Sequence, residues 1–316
     1  MRVRSGTAVI YSLLGILAIT APLAGVYPVF LMKLLCFAMF ACAFNLLLGY
    51  TKMLSFGHAA YFGSSAYVTG WLVSVHGWGT IFGTLAGVAV AMLLGLVIGA
   101  IAVRRQGIYF AMITLALSQV VFFICLQAGF TGGENGLQGI PRGSVFGIVD
   151  LGSDVTMYYF VLALFLLVYG FIRRIVRSPF GHVLRAIREN EPRAVSLGYK
   201  VDRYKLLAFV LSASLAGLAG SLKALILGFA TLTDVSQGTS GEVILMTLLG
   251  GSGTFLGPLL GAGIVVTLEE YLSDRVGAWV SVIIGGIFVA CVMVFRRGFV
   301  GEIQARFARR RGVAPE

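Results

Sequence analysis

Apolar residues along this chain continue for stretches too long to be the buried face of one soluble helix. Such runs cover 8–25, 29–50, 80–103, 108–128, 156–172, 206–229 and 278–295. Each is close to the roughly 20 positions a helix needs to cross the hydrocarbon core of a bilayer. Two further stretches are apolar but cut by glycine and other small residues: 54–73, reading LSFGHAAYFGSSAYVTGWLV, and 242–272, reading EVILMTLLGGSGTFLGPLLGAGIVVTLEEYL. Together they predict an all-α fold, a polytopic membrane helix bundle of about eight to ten segments. The first run follows Arg2 and Arg4 as the core of a signal peptide would. It is long, lacks an A-x-A cleavage pattern and is followed at once by another apolar segment, so it reads as the first span.

The polar residues between the runs set the orientation. Arg104 and Arg105 share one short loop, nine basic residues lie between Arg173 and Lys205, and 298–316 is a basic tail. The positive-inside bias puts these segments and both termini in the cytoplasm. The 129–155 loop carries Glu134, Asp150 and Asp154 against a single Arg142, which puts it outside. The count closes if 54–73 crosses fully and 242–272 enters and leaves on one side, as a re-entrant hairpin broken at Gly250-Gly251-Ser252-Gly253 and Gly257-Pro258. Non-helical backbone at membrane depth is tolerated only against protein or a water-filled cavity, so this break points to a solute path. A kinked packing helix is the alternative. Gly83 and Gly87, Gly95 and Gly99, and Gly253, Gly257 and Gly261 are GxxxG steps that favour close helix packing.

Composition agrees: 58% of residues are hydrophobic and 12% charged, against roughly 25% charged in soluble domains. The net charge of +11 sits in the loops, so it reports topology rather than a nucleic-acid stripe. Cys36, Cys42, Cys125 and Cys291 lie in apolar runs without CxxC spacing and read as packed thiols, not as disulfides or a zinc site. His58, His76 and His182 have no acidic partner at metal-ligand or acid–base spacing, and there is no GxxxxGK[ST] phosphate loop. The expectation is no catalytic site, no metal and no cofactor. Lys33 and Lys223 fall near the outer ends of spans, where they can snorkel to the headgroups. Of ionisable groups deep in a span only His58 qualifies, which argues against a self-sufficient proton-coupled transporter.

The 178–205 segment, SPFGHVLRAIRENEPRAVSLGYKVDRYK, carries the most local information. Ser178-Pro179 is an N-cap followed by proline at the first helical position. Val183, Leu184 and Ile187 form an apolar stripe with Arg185, Arg188 and Glu189 opposite. Pro192 ends that helix, the chain restarts through Ala194, Val195 and Leu197, and Gly198 is a natural left-handed stop. Two short helices make a compact docking knob, with a solvated connecting loop as the plainer reading.

This segment, with RAIREN-E…A…LG followed by KLLAFVLSASLAGLAGSL, resembles the EAA-type coupling loop of ABC importer permeases of the branched-chain amino-acid type. LLLGYTKMLSFGHAAYFGSSAYV, TGGENGLQGIPR and LLGGSGTFLGPLLGA resemble further blocks of the LivM-like half of that family, in the family's order. Lys52 stands where the family usually has glycine, His182 replaces a common Arg, and Pro192-Arg193 alters the centre of the motif. The resemblance implies a single transmembrane permease domain over 1–316 in the bacterial inner membrane. Its partners would be a second homologous permease subunit, two ATPase subunits that bind the ATP, and a periplasmic solute-binding protein. The 178–205 loop would couple to an ATPase through Arg185, Arg188, Glu189, Asn190, Glu191, Ala194 and Gly198, the charged residues pairing across the interface. A translocation path would pass Ser55, Gly57 and His58 in the first broken segment and Gly250, Gly251 and Gly253 in the second. The external block Thr131, Gly132, Gly133, Glu134, Asn135 and Gly136 would gate that path or meet the binding protein, or else be a turn-rich loop without a contact role. The substrate implied is a branched-chain or related apolar amino acid, with urea, short amides or aromatic acids as alternatives.

Overall fold

The computed structural model describes residues 27–145 and 149–294, together with 15, 18–22, 25 and 298. The run 8–25 is therefore largely outside the described residues, and so is the basic tail apart from Gly298. Helices dominate: α1 (Pro28–Thr51), α2 (His58–Ser74), α3 (Thr80–Ala102), α4 (Ile108–Gln127) and α5 (Asp154–Arg177) lead to the short α6 (Pro179–Glu189) and α7 (Glu191–Ser196). Then come α8 (Val201–Leu227), α9 (Gln237–Gly250), α10 (Gly257–Val276) and α11 (Val280–Val294). Of the described helices, α1, α3, α4, α5 and α8 are each long and apolar enough to cross a membrane. The strands are two-residue ties: β1 (Leu137–Gln138) pairs antiparallel with β4 (Phe229–Ala230), and β2 (Ser144–Val145) with β3 (Val149–Asp150).

At the centre α8 packs against α1, α2 and α3, while α1 also packs against α5 and α10. Outer faces of α3, α4 and α5 leave Leu93, Val97, Phe123 and Leu167 exposed, as lipid-facing helices do. Lipid tails are as apolar as leucine, so helix association rests on close packing and interhelical hydrogen bonds, each about 1 kcal/mol. The GxxxG pairs supply the first. Gly83 and Gly87 face Thr69 and Val73 of α2, and Gly95 and Gly99 face Ala213 and Phe209 of α8. Side-chain hydroxyls supply the second: Ser65 donates to the Gly217 carbonyl at 2.6 Å, and Thr69 donates to Ser221 at 2.8 Å.

The 242–272 stretch is the hairpin expected from its glycines, formed by α9 and α10. Backbones touch where a Cβ on Gly250 would lie 1.8 Å from the Gly257 carbonyl oxygen, and one on Gly261 1.8 Å from that of Met246. Its tip, 251–256, stands at the end of α1 that carries Asn45 and Gly49. That is the side of the basic loops and of α6, and Gly298 also lies against Gly251 there. At the other end of the bundle Lys33 meets Glu270 at 3.0 Å.

Lys223 corrects one expectation. It does not reach for headgroups but is 6% exposed, donates to Asp234 at 2.7 Å and lies over the Phe229 ring. The reason is the chain after α8, which folds back through β4 and a 3-10 turn over Leu232–Val235 and brings Asp234 to the ammonium. A charge that deep is tolerated only when paired.

Candidate functional site

The knob forms as its capping residues dictate. Ser178 caps α6, its hydroxyl accepting from the Gly181 amide at 3.5 Å. Asn190 caps α7 by accepting from the Arg193 amide at 3.0 Å, with Pro192 in the first turn. Gly198 has φ +86, the left-handed conformation that glycine adopts without a Cβ penalty. Ile187, Ala194 and Val201 close a small apolar core with Val183 and Tyr204, and Phe180 stacks on Tyr204. Gly181 is needed because a Cβ there would stand 2.3 Å from the Val176 carbonyl oxygen at the end of α5.

The seven residues singled out in the knob divide by direction. Glu189, Asn190 and Gly198 are exposed. Ala194 is buried in the knob's own core. Arg185 donates to the Val176 carbonyl at 2.7 Å and so caps α5. The Glu191 carboxylate accepts from Lys205 at 2.6 Å through both oxygens, and from Gln106 at 2.8 Å. It is therefore bonded within the chain rather than left over for pairing across an interface. Arg188 is half-buried and lies against Gly253. What the sequence reading missed is an outward apolar patch: Val195, Leu197 and Tyr199 are 56%, 67% and 40% exposed, with His182, Arg193 and Lys200 also exposed in the knob. The chain restarts through Ala194, Val195 and Leu197 as expected, but a six-residue helix buries only one position in three or four, and Ala194 takes it.

The first broken segment places a helix start inside the bundle. After α1 the chain turns at Lys52, whose φ of +58 makes it the left-handed cap of that helix. A Cβ disfavours this conformation, in keeping with the glycine that the resemblance implies at this position. Residues 52–57 run back without helix, and α2 begins at His58. His58 Nε2 is 2.8 Å from the Ser212 hydroxyl, and Ser212 donates to the Ala43 carbonyl. Ser212 is about 17 Å along α8 from its start at Val201, so α2 starts near mid-bundle. The imidazole packs against Phe40, Phe44, Tyr61 and Phe209. Ser55 and His58 are fully buried, and a Cβ on Gly57 would be 2.4 Å from the Thr114 carbonyl oxygen. The N-terminal turn of α2 is thus tightly packed against α4 and α8, with Ser240 of α9 accepting from the Ala59 amide at 2.9 Å.

Gly250 ends α9, and Gly251 and Gly253 lie in the hairpin tip, where the Gly253 amide donates to Asn45, the α1 residue next to the Phe44 that packs on His58. The external block is ordered by its own turns. Gly132, Gly133 and Gly136 all have positive φ, and Thr131 is buried with its hydroxyl donating to the Cys125 and Ala128 carbonyls. Glu134 and Asn135 close a 3-10 turn before β1. Arg142 fastens the loop by pairing with Asp154 and donating to the Ile226 carbonyl at 3.2 Å. Among the described residues no group of three or more His, Cys, Asp or Glu side chains converges as metal ligands do.

Residues 28–293 match the family described as "Branched-chain amino acid transport system / permease component". The high-affinity branched-chain amino acid transport system permease protein LivM of Escherichia coli is 28% identical over 295 residues, covering 85% of this chain and 69% of that protein. LivM of Salmonella typhimurium is 30% identical over 278 residues, 80% of this chain and 64% of that protein. The autoinducer 2 import system permease protein LsrC of Salmonella paratyphi B is 28% identical over 219 residues, 65% of this chain and 62% of that protein. The chain thus spans about two thirds of the length of these curated relatives. No solved structure matches it.

Proposed function

The chain belongs to the branched-chain amino acid transport system / permease component family, and on that premise we propose that it is the membrane-spanning permease subunit of an ATP-driven importer for branched-chain or related apolar amino acids. It works with a second permease subunit, two ATPase subunits that bind and hydrolyse the nucleotide, and a solute-binding protein. The LivM relatives are named for the same solute class, and that supports the substrate reading.

One observation carries the coupling role: the capped α6–α7 knob presents Val195, Leu197 and Tyr199 outward, in a segment where His182, Arg193 and Lys200 are also exposed. Exposed apolar side chains in the same segment as exposed polar and basic ones are suited to a protein interface. A knob whose only task was to connect α5 and α8 would bury these side chains or replace them with polar ones. Positive charge in the neighbouring loops supports a cytoplasmic location for this side and for both termini, with the 129–155 loop outside. Thr131–Gly136 then faces the binding protein.

The solute path in this reading passes the start of α2 at Ser55, Gly57 and His58 and is gated by the α9–α10 hairpin with Gly250, Gly251 and Gly253. A helix N-terminus at mid-bundle offers amide dipoles to a carboxylate, as discontinuous helices of transporters do. Packing around His58 is closed, so passage requires α9 or α4 to withdraw from the start of α2.

The test is co-expression of this chain with its candidate permease and ATPase partners and purification through one tag on this chain. Wild type is expected to bring down the ATPase; Gly198→Trp, Leu197→Asp and Glu189→Ala are expected to weaken or uncouple it. ATPase recovery that is unchanged and fully coupled in all three variants would overturn the docking role.

A further inference from the structure

Arg188 stands apart from the rest of the knob because its side chain turns back towards the membrane-spanning helices. The point where a Cβ on Gly253 would stand is 2.9 Å from Arg188 Nη1 and 3.2 Å from the Gly49 carbonyl oxygen. Gly49 is in the last turn of α1, which ends at Thr51, and Gly253 follows the end of α9 at Gly250. The guanidinium therefore stands beside Gly253, close to the last turn of α1 and three residues past the end of α9. Helix C-termini carry unbonded carbonyls and a partial negative charge, and a cation is stabilised there. Among the described residues Arg188 forms no ion pair with a carboxylate.

The tip it touches is firmly held to the helices around it. Asn45 of α1 accepts from the Gly253 amide at 2.8 Å and donates to the Thr254 carbonyl at 2.9 Å, reading both edges of the turn. Tyr169 of α5 donates to the Phe255 carbonyl at 3.3 Å, and Arg177 lies over the Phe255 ring. Gly253 has φ +79, the left-handed region that favours glycine, so the turn needs glycine there. At its far end the same hairpin reaches the start of α2, where Ser240 binds the Ala59 amide.

We propose that Arg188 is a positioning residue that relays displacement of the coupling knob to the α9–α10 hairpin, through its contact with Gly253 and the C-terminal ends of α1 and α9, and does not itself bind the ATPase. The inference rests on the importer reading above. A push on α6 moves the guanidinium against Gly253, and Asn45 ties the tip to the last turns of α1, so that tip and helix end move together. The tip transmits the movement along α9 to the Ser240–Ala59 contact beside His58. Nucleotide-driven closure on one side of the membrane thereby reaches the packed start of α2.

The test compares wild type, Arg188→Gln, Arg188→Lys and Gly253→Ala in the assembled transporter, reconstituted in proteoliposomes with the binding protein and radiolabelled leucine. Three quantities are read: ATPase subunits retained on purification, ATP hydrolysis, and leucine taken up per ATP hydrolysed. Arg188→Gln is expected to retain the ATPase and hydrolyse ATP while uptake per ATP falls about tenfold, the scale of losing a favourable charge at two helix ends. Arg188→Lys keeps the charge and is expected to recover part of that loss. Gly253→Ala, which leaves Arg188 in place but obstructs the contact, is expected to uncouple in the same way. Loss of the ATPase from the Arg188→Gln complex with Gly253→Ala fully coupled would overturn the proposal, since Arg188 would then be a docking residue. Wild-type uptake per ATP in both would overturn it too. If wild-type chain retains no ATPase at all, it is the importer reading that fails, and the relay falls with it.

Discussion

Glu191→Ala would remove both acceptors of the Lys205 ammonium, each at 2.6 Å, and the acceptor of Gln106. Lys205 is 4% exposed, so the ammonium would be left without a counter-charge or access to water. Breaking a buried pair by removing one partner costs about 3–5 kcal/mol. The Glu191 side chain is 22% exposed, and solvent screening brings the expected loss down to about 2–3 kcal/mol. Lys205→Met in the same background removes the stranded charge, so the double variant should recover most of the loss, short of about 1 kcal/mol for the Gln106 bond. Thermal unfolding of the purified chain in nanodiscs reads this as a fall of roughly 5 °C for the single variant and much less for the double. Equal unfolding temperatures for Glu191→Ala and wild type would refute the reasoning. So would a double variant as unstable as the sum of the two single ones. Either result would return Glu191 to the role the sequence suggested, a charge available to a partner subunit.

Other consequences follow from single contacts. Asp234→Asn leaves Lys223 buried without its counter-charge and is expected to cost about 3–5 kcal/mol, whereas Asp234→Leu with Lys223→Met should restore over half of that in the same unfolding assay. Lys52→Gly relieves a left-handed lysine, φ +58, and is expected to stabilise the chain by about 1 kcal/mol, read as a small rise in unfolding temperature. Gly220→Val places a Cβ about where the Phe62 carbonyl oxygen lies 1.9 Å away, so α2 and α8 cannot stay in contact. The expected outcome is a loss of at least about 3 kcal/mol, seen as aggregated rather than monodisperse protein on gel filtration.

Long helices were legible because bilayer thickness and apolar run length are one measurement. The runs 29–50, 80–103 and 108–128 differ from the helices formed by at most one residue at either end. The knob was legible for a different reason: Ser178, Pro179, Pro192 and Gly198 act through local backbone geometry, which needs no knowledge of the rest of the fold. Long-range pairing was not. Nothing local tells that Asp234 returns to Lys223, or that Glu191 meets Lys205 one helix later. The direction of Arg188 was hidden likewise, because a charge on the polar side of an amphipathic helix faces water unless another helix end is brought to it, and that depends on the α9–α10 hairpin. The glycines of 250–261 signalled the break but not its depth, and the structure puts the tip beside the knob.

The most direct measurement of the importer account is leucine uptake into proteoliposomes holding this chain alone, compared with the chain assembled with its permease, ATPase and binding-protein partners. The account predicts no uptake by the lone chain and uptake by the assembly only when ATP is supplied on the ATPase side. Uptake by the lone chain, driven by the solute gradient or by a proton gradient, would contradict it and make the protein a self-sufficient transporter.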